Sequence, residues 1–459
     1  MNHLFLALLL SSSFAAKASI VAVVDSGVDY KHSFLSNQMW VNQGEIADNG
    51  RDEDHNGYQD DVYGWNFAES NNLVIDYKYL GTFSEDPAKF FELQGKSFLG
   101  TITPEEKAWV NAKVQDPNFI KEMGKFGNFV HGTHVAGITK KNSPDVRVLA
   151  VKLIPTEVKL PGGQKTSLIS TEMKERIVNA ENDGSRMKIL KQLLGQLASQ
   201  QMVMMKEIGY YLSGNKADVA NCSFGTGFAQ AKSIVSILYK VVFFKAPTDE
   251  QVIEPTKFFM DTLVTEGQKF VGAAKNTLFV IAAGNDGANN DLEPTSPANV
   301  KADNTITVAA TFDRAKLASF SNYGKEKVDI AAPGVVIESS IPGDQWLKVS
   351  GTSQASPFVA NVAGQLKDVN KNLTPLAIKK ILMGTVDKKE YLKSKVVAEG
   401  IVNPERAVYA AKLSLSVSVD EAISQAKISV DDVHSKVRAD VDDKDGSALV
   451  LPLPSTFSF

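Results

Sequence analysis

The sequence predicts an α/β fold built on a parallel sheet, and three observations carry that expectation. Ile20-Val21-Ala22-Val23-Val24 is an unbroken apolar run, the pattern of a strand buried on both faces. Val146–Leu153 and Asn304–Thr311 read as further strands. Between them, small-residue apolar segments begin at His131-Gly132-Thr133-His134 and just after Ser353. Both read as helix starts, with Gly and Ala letting the helices lie close to the strands. At 459 residues and 43% hydrophobic, the chain can bury a sizeable core. Large α/β folds of this size often run as one domain.

The stretch Val349-Ser350-Gly351-Thr352-Ser353-Gln354-Ala355-Ser356-Pro357 delivers one serine to a helix start. Free N–H groups there favour a developing negative charge. Asp25 ends the first strand, where α/β sheets present functional groups, and Ser26 is placed to hydrogen-bond its carboxylate. With His131, the chain holds the orienter, base and nucleophile of a catalytic triad in the order Asp, His, Ser. On these three stretches the chain resembles the subtilisin-like serine proteases (subtilases) across roughly residues 20 to 410. The resemblance implies a three-layer α/β fold, a mainly parallel central sheet flanked by helices. It implies a secreted endopeptidase that hydrolyses peptide bonds of protein or peptide substrates through an acyl-enzyme. Asp25, His131 and Ser353 match the triad, and Asn285 matches the side-chain donor of the oxyanion hole. Ser223-Phe224-Gly225 and the stretch holding Ala283 and Gly284 match the walls of the substrate cleft. Phe224 hints at an apolar or aromatic preference. Activity is expected at neutral to alkaline pH, because His131 has to be unprotonated to act as base. Three departures stand near the nucleophile: Gln354 for a common methionine, Phe358 for a histidine and Asn361 for a glycine. None of them removes a reacting group.

Taken in order, the chain starts with Leu4–Leu10, an apolar core of signal-peptide length, followed by the small-x-small pattern Ala16-Lys17-Ala18. Residues 1–18 are therefore expected to be a signal peptide, with a secreted or periplasmic destination. Only Ser19–Val24 would then precede Asp25, leaving no room for the N-terminal pro-domain that many relatives carry. His32 reads as a structural loop residue. In Asn49–Asp61, the oxygen-bearing residues Asp52, Asp54 and Asn56 alternate ahead of Gly57, the Tyr58 carbonyl, Asp60 and Asp61. This matches the start of a calcium loop, without the bidentate glutamate at its end. The alternatives are a structural Ca²⁺ site and a solvated acidic turn.

Residues 68–128 form an insertion that either shapes substrate access or decorates the surface; a helix is expected over Glu105–Val114. His134 reads as a packed histidine, since no HExxH pattern surrounds it. A second insertion, 155–215, carries two amphipathic helices, about 170–181 and 185–212. The stripe Met187, Leu190, Leu194, Leu197, Met202, Met205 and Ile208 reads as core before it reads as a partner groove. The catalytic domain is expected over 19–413. Residues 414–459 read as a charged, disordered tail ending in Leu451-Pro452-Leu453-Pro454.

A net charge of −4 excludes a nucleic-acid or anionic-membrane partner as the default. A single cysteine, Cys222, excludes an internal disulfide, and as a catalytic thiol it is a poor rival to Ser353. Beyond residue 18 no apolar stretch is long enough for stable membrane insertion. An esterase is disfavoured because no G-x-S-x-G elbow surrounds Ser353. Two further rivals are a catalytically silent binding protein on a protease scaffold and an enzyme inhibited by its own insertions or tail.

Overall fold

A computed structural model describes residues 18–158, 170–437 and 442–455. The expected signal peptide, apart from Ala18, lies outside the described residues.

The first strand, β1 (Ile20–Asp25), lies inside the sheet, third from one edge. On one side it pairs in parallel with β3 (Arg147–Lys152), and β3 with β2 (Gly64–Asn66). On the other side come β4 (Val219–Cys222), β5 (Leu278–Ala282), β6 (Thr305–Phe312), β8 (Ile330–Pro333) and β12 (Gly400–Ile401), all parallel. Among the described residues of this sheet, antiparallel strand pairs lie at the margins: β7 (Lys316–Leu317) on β6, and β11 (Asp387–Lys388) on β12. The chain moves to opposite sides of β1 when it forms β3 and then β4, so β1 is the point where the strand order reverses. Open α/β sheets bind ligands at the carboxyl ends of the strands at such a point.

Strand alternation sorts the two faces. Ile20, Ala22 and Val24 point into a cluster with α5 (Asp183–Gly214), α6 (Phe228–Phe243) and α7 (Asp249–Ala273). Val21 and Val23 point the other way, towards α3 (Pro117–Lys140), α8 (Thr352–Val369) and α10 (Pro404–Leu413). The result is the expected three-layer sandwich. The apolar stripe of α5 is core, packed on α7 behind the short α4 (Thr171–Val178). Among the described residues no helix is long and apolar enough to cross a membrane.

The insertion at 68–128 builds α1 (Asp86–Phe98), α2 (Pro104–Lys113) and the first half of α3. The helix carrying His131 thus begins at Pro117, not at His131. Asp116 caps it, Pro117 occupies its first turn, and Phe119, Met123, Phe126 and Val130 continue its apolar face into a satellite cluster with Phe90 and Phe91. At the far end of α3, Asn361 of α8 donates to the Thr139 and Lys141 carbonyls, at 2.7 and 3.0 Å, and so caps the helix. The glycine replacement at that position is therefore structural.

The described residues beyond 413 are ordered where disorder was expected. Helix α11 (Val419–Ser429) is capped by Ser418 and buries Ala422 and Ala426 beside α10 and α9 (Pro375–Gly384). The buried Arg406 anchors the chain after it, reaching the Val430 carbonyl, Asp432 and the buried Asp387, which also accepts from Arg314. A last short helix, α12 (Lys444–Ser447), sits on α1. His32 also finds partners, the Gln345 carbonyl and Asp344. Between β8 and α8 the hairpin β9 (Ile337–Ile341)/β10 (Gln345–Val349) packs on α3.

His134 ties α3 to that hairpin. Its Nε2 lies 3.2 and 3.0 Å from the Ile337 and Leu347 carbonyls, so the proton is on Nε2. Burial pushes its pKa down to about 3, with the charge on His131 adding to the effect. Between pH 6.5 and 3 the unfolded chain takes up a proton there that the native chain refuses, so stability falls as pH drops through this window. The His134→Gln variant is expected to lose less stability than wild type between pH 7 and pH 4, measured by urea unfolding at each pH. Removing Arg406 leaves buried carboxylate charge short of a partner. Arg406→Ala is expected to cost about 3–5 kcal/mol in the same assay.

Candidate active site

Asp25, His131, Asn285 and Ser353 meet at the carboxyl edge of the sheet. Asp25 is fully buried at the end of β1, and its Oδ1 accepts from the Ser26 N–H at 2.7 Å. The bond expected from Ser26 is thus made by its backbone; its hydroxyl instead accepts from the Gly132 N–H at 3.2 Å. His131 reaches Asp25 through Nδ1, 2.7 Å from the same Oδ1. The contact depends on Gly132: a Cβ there would stand 2.2 Å from the Gly27 carbonyl oxygen and push α3 off the end of β1.

A carboxylate at Nδ1 fixes the proton on that nitrogen and leaves Nε2 as the basic one. Among the described residues Nε2 has no hydrogen-bond partner. His131 lines a cavity of roughly 290 Å³ together with Asn285 and Ser353. Ser353 is the second residue of α8, where N–H groups have no intrahelical acceptor. Its hydroxyl donates to the Ser223 carbonyl at 3.2 Å, and the Ser223 hydroxyl donates to the Ser353 carbonyl at 3.0 Å. In this state the serine and histidine share a cavity without a hydrogen bond between them.

Asn285 is oriented by a residue the sequence reading passed over. Its Oδ1 accepts from both the N–H and the hydroxyl of Thr352, at 2.9 and 2.8 Å. Oxygen and nitrogen are thereby distinguished, and Nδ2 donates to the Leu451 carbonyl at 2.9 Å. The signal was present in the sequence, since Thr352 directly precedes Ser353.

The cleft walls are placed less evenly. The Gly225 N–H donates to the Pro454 carbonyl at 2.9 Å, so this backbone does pair with an extended segment. Phe224 does not face the cleft; its ring is buried in the core on the α5–α7 side, and the hint of aromatic preference drawn from it falls away. Ala283 is fully buried. Gly284, at φ +120°, would put a Cβ 2.2 Å from Asn322 Nδ2, and its N–H donates to the Thr352 hydroxyl. Gly284 thus supports the loop that carries Ser353 from behind, while the Ala283 backbone bonds Val308 and Asn290. The cleft instead gains an apolar wall from the first insertion, with Phe91, Ile120, Met123 and Val130 lining the cavity. Cys222 faces away, fully buried, and burial followed by the charge of Asp25 pushes its thiol well above its usual range.

The acidic loop regroups its donors. Asp52 and Asp54 come together with Glu45, one carboxylate oxygen of each lying within 4.8 Å of the others. Asn56 lies beside them, its N–H donating to both aspartates. Asp60 is turned away, its oxygens accepting from the Asn49 and Gly50 N–H groups. Asp61 is engaged by Asn42, Asn56 and the Tyr211 hydroxyl, and burial pushes its carboxyl up to about 6. The Tyr58 ring packs on Trp65, Phe67 and Tyr211. Of the expected carboxylate ligands, Asp52 and Asp54 thus group with Glu45, seven residues before Asp52, while Asp60 and Asp61 have other partners.

Comparison with known proteins extends these observations. The family model described as "Subtilase family" matches residues 16–400. The thermophilic serine proteinase of Bacillus sp. (strain AK1) is 43% identical over 114 residues, which are 25% of this chain and 26% of that protein. Subtilisin-like protease 1 of Plasmodium vivax is 27% identical over 401 residues, 85% of this chain and 47% of that protein. The chain thus spans less than half the length of these two relatives. Among solved structures, a cold adapted subtilisin-like serine proteinase aligns at a TM-score of 0.42 and 18% identity, covering 87% of this chain and 94% of that one. With the family model matching most of its length, this chain belongs to the subtilase family.

Proposed function

We propose that this chain is a serine endopeptidase that cuts protein or peptide substrates through an acyl-enzyme. One observation carries the reading: His131 is held by Asp25 through Nδ1 while it shares a cavity with Ser353 and Asn285. In the reaction, Ser353 turns from the Ser223 carbonyl towards His131, and Nε2 takes its proton as the hydroxyl attacks the carbonyl. Asp25 keeps the tautomer and stabilises the imidazolium without taking the proton. Asn285 Nδ2 and the Ser353 N–H donate to the oxyanion. His131 then gives its proton to the leaving amine, and water completes hydrolysis. The signal-peptide pattern at the N-terminus supports a secreted or periplasmic destination. An intact set of four reacting residues speaks against a silent scaffold.

Prolonged treatment with a fluorophosphonate probe is expected to label wild type and leave Ser353→Ala unlabelled. Asp25→Asn, which disturbs the tautomer, is expected to label about 10⁴-fold more slowly. Labelling that persists in Ser353→Ala would place the nucleophile elsewhere.

Glu45, Asp52 and Asp54 supply hard oxygen donors that suit Ca²⁺. The ion's role is structural: it offsets repulsion among three close carboxylates and stabilises the native loop by binding it. A calcium chelator is expected to lower the melting temperature by a few degrees. In a Glu45→Gln/Asp52→Asn variant the chelator is expected to have no effect. Fluorophosphonate labelling well below the melting temperature is expected to be unchanged by chelation.

A further inference from the structure

The chain from Asp442 to Ser455 returns from the edge of the molecule and enters the candidate active site. Its path begins at Asp443, which is buried and accepts from Lys316 Nζ at 2.8 Å and from the Ser319 N–H and hydroxyl at 2.9 and 2.6 Å. Helix α12 then settles on α1, where a Cβ on Gly446 would stand 2.7 Å from the Phe98 ring. Gln94 of α1 donates to the Leu449 carbonyl at 2.7 Å. Next, Leu451 lies over Gly127 of α3 and puts its carbonyl on Asn285 Nδ2. Leu453 is buried against Gly225, the Pro454 carbonyl takes the Gly225 N–H, and the Ser455 and Thr226 hydroxyls meet at 3.0 Å. Leu451 to Ser455 line the same cavity as His131 and Ser353.

We infer that residues 442–455 are an inhibitory strap that keeps the enzyme latent, with Leu451–Ser455 as the intramolecular occupant of the substrate cleft. The inference rests on the endopeptidase reading and names how that same site is regulated. The Asn285 amide, which would donate to an oxyanion, gives an N–H to the Leu451 carbonyl. Gly225 offers its N–H to an extended peptide, and the Pro454 carbonyl holds that too. A substrate therefore has to displace the strap before its carbonyl reaches either donor. Pro452 and Pro454 bring no N–H groups and restrict the backbone, so little order has to be imposed on the segment when it binds. The strap reaches the cleft from α1, so the first insertion serves as its dock. By the same contacts, the cleft takes extended apolar peptides, with leucine beside the oxyanion donor.

The test compares fluorophosphonate labelling rates of the full chain in wild type, the Leu451→Asp/Leu453→Asp double variant and Asp443→Ala. Circular dichroism checks that each is folded. Two charges in an apolar cleft are expected to expel the strap, and labelling is expected to rise about a hundredfold, the low end of what tethering supplies. Asp443→Ala loosens the anchor far from the cleft and is expected to give a smaller rise in the same direction, which serves if the double variant does not fold. A synthetic peptide of residues 448–455 is expected to slow labelling of the double variant and leave wild type unchanged. Equal rates in wild type and both variants, all abolished by Ser353→Ala, would overturn the strap and leave the endopeptidase standing. Absence of Ser353-dependent labelling in every folded variant would overturn both.

Discussion

The close approach of α3 to the end of β1 governs everything at this site. Gly132 rests on the Gly27 carbonyl with no room for a methyl group, and the Ser26 hydroxyl accepts the Gly132 N–H. That contact sets the height of His131 above Asp25. From it follow the buried Nδ1 hydrogen bond, the tautomer, and the direction in which the basic nitrogen faces. A parallel sheet whose order reverses at β1 makes the approach possible, because it leaves a crevice at the carboxyl end of that strand. Sheet topology, glycine placement and proton placement thus depend on one another.

Much of this could be read from the chain alone, and the reason is locality. Asp25 follows its strand directly, Ser353 sits in a stretch of small residues, and Asn285 follows Gly284 at a strand exit. Each is announced by its neighbours. What escaped was set by partners outside each motif. Helix α3 begins at Pro117 because Asp116 caps it and the insertion's aromatics need a surface to pack on. Phe224 alternates correctly along its strand exit, yet the side to which it points depends on α5–α7. Glu45 enters the acidic cluster only because the loop folds back on it.

The segment after 413 shows how composition misleads. Its charge suggests solvation, but Ser418 caps a helix and Arg406 binds the Val430 carbonyl and Asp432. Leu451-Pro452-Leu453-Pro454 looks like a frayed end in isolation. It packs along a cleft with one apolar wall, and two amide donors there take its Leu451 and Pro454 carbonyls. Phe91, Ile120 and Met123 of that wall, and the α1 surface under this segment, come from the first insertion.

Asn361 also joins two elements of the site. By holding the end of α3 to α8 it fastens the helix of the histidine to the helix of the serine. A shift of either helix along the other strains these bonds. Rotation of the Ser353 side chain changes its distance to His131 without disturbing any of them.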